Sequence, residues 1–290
     1  MTPAERESVR LVLVGGHESA GTADLESLAD ALPGAILTRP GRPLHNRVST
    51  LLADHADHDT TVAVLPVTWG RDPVLVADTA KTLSWLRAGS GPGRLVLCDA
   101  LGAIDHLVAL VRRAATETAK RRPGAALVLA APSAGPFDDA ELHRVAHLVR
   151  AHGTGTEVEV ACGSDEAALR RAVRRARLLG AEEVVVVPVG FARTCPALDA
   201  VADPMLADPV LAGTVFYGPL LSEQATLRIV GQRLADARHR LGHGDDGIDA
   251  GLLADHGHGY AHSHAVEGHP HSHAHPHSHP PVARQPDPVR

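Results

Sequence analysis

Val184–Pro196 reads VVVVPVGFARTCP, and Val62–Pro73 reads VAVLPVTWGRDP. Each opens with aliphatic and β-branched residues without polar alternation, the composition of a parallel strand covered by helices on both faces. Outward from this pair the chain repeats itself in order. LVLVGG at Leu11–Gly16 matches LVLAAP at Leu127–Pro132, and a strand-Leu-helix segment at Leu101 matches one at Leu220. The partners are separated by nearly the same interval, as a duplicated unit with loop insertions requires. RRPGA at Arg121–Ala125 joins the copies.

Short β-rich runs alternate with helical patterns throughout, which predicts parallel strands joined by crossover helices. The predicted strands are Arg10–Val14, Ala35–Thr38, Thr61–Val67, Arg94–Cys98, Ala126–Ala130, Glu157–Ala161, Glu183–Val189 and Thr214–Tyr217. Between them, SDEAALRRAVRRARLLG has Ser164 to cap a helix and Gly180 to stop it. Asp138 and Glu141 open another helix through Arg150, with Leu142, Val145 and Val149 on one stripe. The expected fold is α/β: two similar doubly wound parallel four-stranded sheet units. Residues 1–121 form the first half, 122–242 the second, and 243–290 a disordered His-rich tail.

The 290 residues suffice for one large core or two smaller ones. Aromatic residues make up only 2% of the chain, so Ala, Val and Leu must build the core and base-stacking platforms are absent. The formal net charge of -6 leaves no broad basic footprint for nucleic acid. The N-terminus MTPAERESVRLVLVGG lacks the long apolar stretch of a signal peptide or membrane span, so a cytoplasmic location without a membrane partner is expected. Cys98, Cys162 and Cys195 are scattered and without C-x-x-C spacing, which predicts reduced thiols.

Ligands of open parallel sheets bind beyond the carboxyl ends of the strands, so the residues just after each strand are the candidates. His17 follows LVLVGG, where paired glycines let the backbone turn and bring an imidazole to the rim; the alternative is a histidine bonded within its own loop. Arg71 and Arg193 stand at equivalent points of the repeat just past apolar strands. Guanidinium forks there suit carboxylates, and solvated surface arginines are the alternative.

LVLVGGHES resembles the opening of the CbiX-type sirohydrochlorin chelatases, a strand running into a Gly-His-Gly-Ser turn that Gly16, His17 and Ser19 match and Glu18 alters. PVTWGRDP resembles that family's third strand and following loop, and Leu101–Gly102 with Gly218–Leu220 resemble its fourth-strand turn, so the likeness covers about Arg10–Arg240. It implies ATP-independent insertion of a divalent metal, cobalt first, into sirohydrochlorin for cobalamin synthesis. It implies that His17 binds the ion and accepts pyrrole protons, and it places Ser19, with Arg71 and Arg193, toward the carboxylate-rich substrate. An imidazole suits both roles, since it titrates near neutrality and binds borderline divalent ions. No G-x-x-x-x-G-K-[ST] sequence is present, so no nucleotide is expected.

Where the family carries a second His, this chain has Arg71-Asp72-Pro73 and Arg193-Thr194-Cys195-Pro196. Asp72 or Cys195 supplies a substitute ligand in one reading; a helix-start acid and a buried thiol are the other. Iron, nickel or zinc are the alternative ions, and a non-catalytic metal or tetrapyrrole carrier is the alternative role. The sequence leaves oligomeric state open.

Near the C-terminus, His256, His258, His262, His264, His269, His271, His273, His275, His277 and His279 place ten imidazoles in H-x-H-rich, Gly- and Pro-broken sequence suited to exchangeable metal capture. His143 and His147, one helical turn apart, read as an exposed helix face. DHADHD at Asp54–Asp59 reads as a solvated helix end, and His45 and His106 are secondary candidates near rim loops.

Overall fold

The computed structural model describes residues 9–53, 60–90, 93–152, 155–163, 166–199 and 208–255. The first sheet is formed by β1 (Val9–Gly15), β2 (Ile36–Thr38), β3 (Thr61–Val67) and β4 (Leu95–Leu97), all parallel in the order β2-β1-β3-β4. The second has β5 (Ala126–Ala131), β6 (Val158–Cys162), β7 (Val184–Pro188) and β8 (Thr214–Phe216) in the matching order β6-β5-β7-β8. Each predicted strand has its counterpart, and the shared topology is that of a repeated unit.

The crossovers are α1 (Glu26–Asp30), α2 (Arg42–Ala53), α3 (Pro73–Ser90), α4 (Ile104–Arg121), α5 (Pro136–Ala151), α6 (Glu166–Leu178), α7 (Pro196–Asp199) and α8 (Glu223–Gly242). α5 starts two residues earlier than Asp138 suggests, because Pro136 has the fixed φ of a first helical turn after extended Gly135. Leu142, Val145 and Val149 are fully buried, as their spacing requires.

Unbroken apolar strands need two apolar covers, and the burial pattern shows where each lies. Leu11 and Leu13 of β1, Leu65 of β3, Leu127 and Leu129 of β5 and Val187 of β7 all enter one core common to both halves. The alternate residues face outward: Val12, Val14, Val62 and Val64 pack under α2 and α3, while Ala126, Val128, Val184 and Val186 pack with α6. The common core is closed by an exchange of helices. α4 leaves the first sheet and packs on α5 and β7, whereas α8 leaves the second sheet and packs on α1, β3 and β4. Val111 of α4 and Val230 of α8 are accordingly members of the same core.

The segment after α8 corrects the tail boundary placed at residue 243. Leu97 N–H donates to Asp246 O at 2.9 Å, and α9 (Ile248–Leu252) packs against α3 and β4 with Ile248 fully buried. Gly251 touches the β4 edge so closely that a Cβ there would meet Leu97 Cδ2 at 2.4 Å. A composition rich in Gly and Asp concealed one anchoring isoleucine. Ile248→Ala is expected to cost roughly 2–4 kcal/mol of the docking of this segment, read as faster amide exchange over residues 246–252 with little change elsewhere. Among the described residues no helix is long and apolar enough to cross a membrane.

Candidate functional site

β1 ends in a compact turn that only glycines permit. A Cβ on Gly15 would lie 1.8 Å from Gly21 O, and one on Gly16 would lie 2.2 Å from Asp72 Oδ2. The turn is closed by Gly21 N–H donating to Gly16 O at 2.8 Å. Ser19 is fully buried, and its hydroxyl lies 3.2 Å from both Gly16 O and Gly21 O. Its side chain therefore holds the turn, a different place from the substrate side that the resemblance implies.

His17 begins the short helical turn His17–Ser19 at the carboxyl end of β1. Its backbone N–H donates to Asp72 Oδ2 at 3.3 Å, and its Nε2 lies 3.6 Å from the same oxygen. The ring is 15% exposed, yet Nδ1 and Nε2 are both enclosed and without a hydrogen-bond partner. A buried polar atom without a partner costs about 1–3 kcal/mol, so the imidazole is not explained by local bonding. Asp72 also works on the other side of the turn, where Oδ1 accepts from Leu75 N–H at 2.9 Å and starts α3. The helix-start reading and the pairing with His17 thus hold for the same carboxylate. One nitrogen and one carboxylate oxygen face each other at a separation that a divalent ion or a proton can exploit.

Beside them, Glu18 ties the two halves together. It is 2% exposed; Oε2 accepts from Trp69 N–H at 2.5 Å and Oε1 from Arg71 N–H at 2.9 Å. Its own carbonyl accepts from Phe191 N–H at 3.0 Å, across in the loop after β7. Burial pushes the carboxyl up to about 7, against the lowering effects of the Trp69 amide, the Arg71 charge and the Thr68 hydroxyl, with Asp72 adding a smaller rise. Arg71 is enclosed at 1% exposure, with Nη1 donating to Val189 O at 3.3 Å and Nε and Nη2 unpartnered. The guanidinium lies inside the junction, not on the open rim where a surface carboxylate would meet it.

Trp69 and Phe191 occupy equivalent places in the repeat and stack at 5.3 Å with an interplanar angle of 12°. They border a small hollow of about 40 Å³ with Leu25, Leu28, Leu220 and Arg193. Arg193 is half-exposed and lies 3.5 Å from Glu223. Cys195 is half-buried against the core of the second sheet's outer face; burial raises its thiol, and no hydrogen bond or ion pair joins it to His17. His45, His143 and His147 are exposed, and His106 Nδ1 accepts from Ala103 N–H at the start of α4. His256 to His279 and Asp54–Asp59 lie outside the described residues.

The structure thus brings His17 and Asp72 together and leaves Arg193 and Cys195 elsewhere. Sequence reasoning passed over Glu18 as a replaced glycine. The signal available was a carboxylate set between Gly16-His17 and a buried serine, where only local hydrogen bonds could satisfy it.

No family model matches the chain, and no curated protein matches it. Among solved structures it is similar to a multi-domain protein of Deinococcus radiodurans, described as having structural similarity to chelatases and two additional novel domains. That match has 21% identity and a TM-score of 0.42, over 79% of this chain and 55% of the other, so this chain spans little more than half its length. SirB from Bacillus subtilis, solved with Fe3+, is similar at 15% identity and a TM-score of 0.46 over 81% of this chain and 98% of SirB. A periplasmic binding protein from Burkholderia mallei follows at 13% identity and 0.38, over 76% of this chain and 63% of that one. The fold assignment rests on the two sheets themselves.

Proposed function

We propose that the chain inserts a divalent metal ion into sirohydrochlorin or a closely related tetrapyrrole without a nucleotide, with cobalt, for cobalamin synthesis, as the first candidate ion. The observation that carries this reading is an imidazole at the strand rim, both nitrogens unpartnered, 3.6 Å from a carboxylate. The ion is the substrate. His17 nitrogen and Asp72 Oδ2 receive it and release it to the ring nitrogens, which must lose two protons to hold a divalent ion. His17, once free of the ion, accepts the two pyrrole protons one after the other, each passing to water before the next is taken, and Asp72 stabilises the imidazolium at ion-pair distance in each transfer. Iron, nickel and zinc suit the same donors, because the order of affinities and the supply of ions decide between them.

The test is the absorbance change of sirohydrochlorin mixed with the full chain and Co(II), Fe(II), Ni(II) or Zn(II). Acceleration over the protein-free rate with at least one ion is expected. No acceleration with any of them would sink the enzyme reading. A second reading, a carrier that binds metal or tetrapyrrole without turnover, draws on another observation: among the described residues no group of three His, Cys, Asp or Glu side chains is placed to hold an ion. Tight binding without acceleration is its signature.

A further inference from the structure

After β2 the chain runs Thr38-Arg39-Pro40-Gly41-Arg42 into α2. Thr22, Thr38, Arg39, Asn46, Arg47 and Thr50 line a concavity there of about 770 Å³, counting space open to solvent. Elsewhere on the surface Arg87, Arg113, Arg122, Arg144, Arg170, Arg175, Arg193 and Arg240 each hold a carboxylate. Among the described residues no carboxylate pairs with Arg39, Arg42 or Arg47. α2 also begins on Arg42 with no acid in its first turn. A helix N-terminus is partly positive, so cations gathered there repel it and one another unless an anion joins them.

Arg39 reaches back over the turn that follows β1. Its guanidinium lies over Gly21, where a Cβ would stand 2.7 Å from Nε and 2.8 Å from Nη2, and Gly21 has a φ of +78° that favours glycine. Gly21 is also the residue that closes the His17 turn onto Gly16 O. The concavity and the imidazole are therefore the two sides of one turn.

We propose that this concavity is an oxyanion site that takes a carboxylate arm of the macrocycle bound at His17. The proposal rests on the function given above and adds to it where the ring's acidic periphery is held. Two guanidinium forks can grip a carboxylate bidentately, and the Thr22 hydroxyl and the Asn46 amide supply further donors; the Thr38 and Thr50 hydroxyls already donate to the Arg39 and Asn46 carbonyls. Free phosphate shares this chemistry, and the experiment separates the two.

Uroporphyrin, which bears carboxylate side arms around its rim, is titrated by fluorescence quenching against the full chain, against Arg39→Gln combined with Arg47→Gln, and against Arg228→Gln on α8 as a charge control. The double variant is expected to bind about tenfold more weakly, with the difference shrinking as salt rises, and the control to bind as the parent does. Unchanged affinity in the double variant, or an equal loss in the control, would overturn the proposal while leaving the chelatase reading standing. If the parent binds no porphyrin, that reading falls with its macrocycle, and inorganic phosphate then decides the concavity. A phosphate-induced rise in melting temperature that the double variant lacks would reassign the site to free phosphate. No rise in the parent would remove the oxyanion site altogether.

Discussion

His17→Ala is expected to bring metal insertion into sirohydrochlorin down toward the protein-free rate, a loss of roughly 10²–10⁴-fold. The ring makes no side-chain hydrogen bond in the folded protein, so its removal should leave the melting temperature within a few degrees of the parent. That separation of effects is what distinguishes a working imidazole from a structural one. Stopped-flow absorbance at saturating metal measures it, with thermal unfolding on the same preparations. Full activity in the alanine variant would end the assignment, and a collapsed melting temperature would show the residue to be structural. Asp72→Asn offers a graded comparison: the amide keeps an acceptor for Leu75 N–H but cannot stabilise an imidazolium, so activity should fall more than stability.

Glu18→Ala is expected to be among the most damaging single changes to stability. It leaves two buried N–H groups, those of Trp69 and Arg71, without an acceptor. Losses of this kind run to about 1–3 kcal/mol for each buried group left unpaired, readable as a lower urea midpoint at unchanged slope. The same residue gives stability a pH dependence. Its folded value of about 7 lies above the ordinary 4.5, so the folded chain holds the proton more tightly than the unfolded chain. The corresponding stabilisation is complete below pH 4.5 and is lost as pH rises through 7, a change on the order of 3 kcal/mol. Arg71 and Asp72, the charged groups facing it, act in opposite directions and do not reverse that sign. Urea midpoints at pH 5 and pH 8 should differ in this sense for the parent and much less for Glu18→Gln. A flat parent profile would show that the carboxylate stays ionised in its enclosure.

Much of the architecture was legible because unalternating valines leave few options. A run such as Val184–Val187 cannot face water on either side, so each strand had to be central or covered, and order along the chain supplied the repeat. The exchange of α4 and α8 was not legible. Both helices are amphipathic, and nothing in an amphipathic stripe says which of two similar sheets it will cover. His17 could be placed by rule, since strand ends are where parallel sheets bind ligands. Glu18 and the enclosure of Arg71 could not, because both depend on the loop after β7 meeting the turn after β1. Ile248 was hidden for a simpler reason: one anchor among glycines and aspartates leaves composition looking like linker.

The crossed helices also bear on how the chain is made. During synthesis the first sheet emerges while the helix destined to roof it, Glu223–Gly242, is still more than a hundred residues away on the message. Until then one side of that sheet is bare leucine and valine, so the nascent N-terminal half must be shielded by the ribosome, by a chaperone or by premature clustering. Completion of Glu223–Gly242, and not of the first four strands, is the moment at which the core shared by both halves can close.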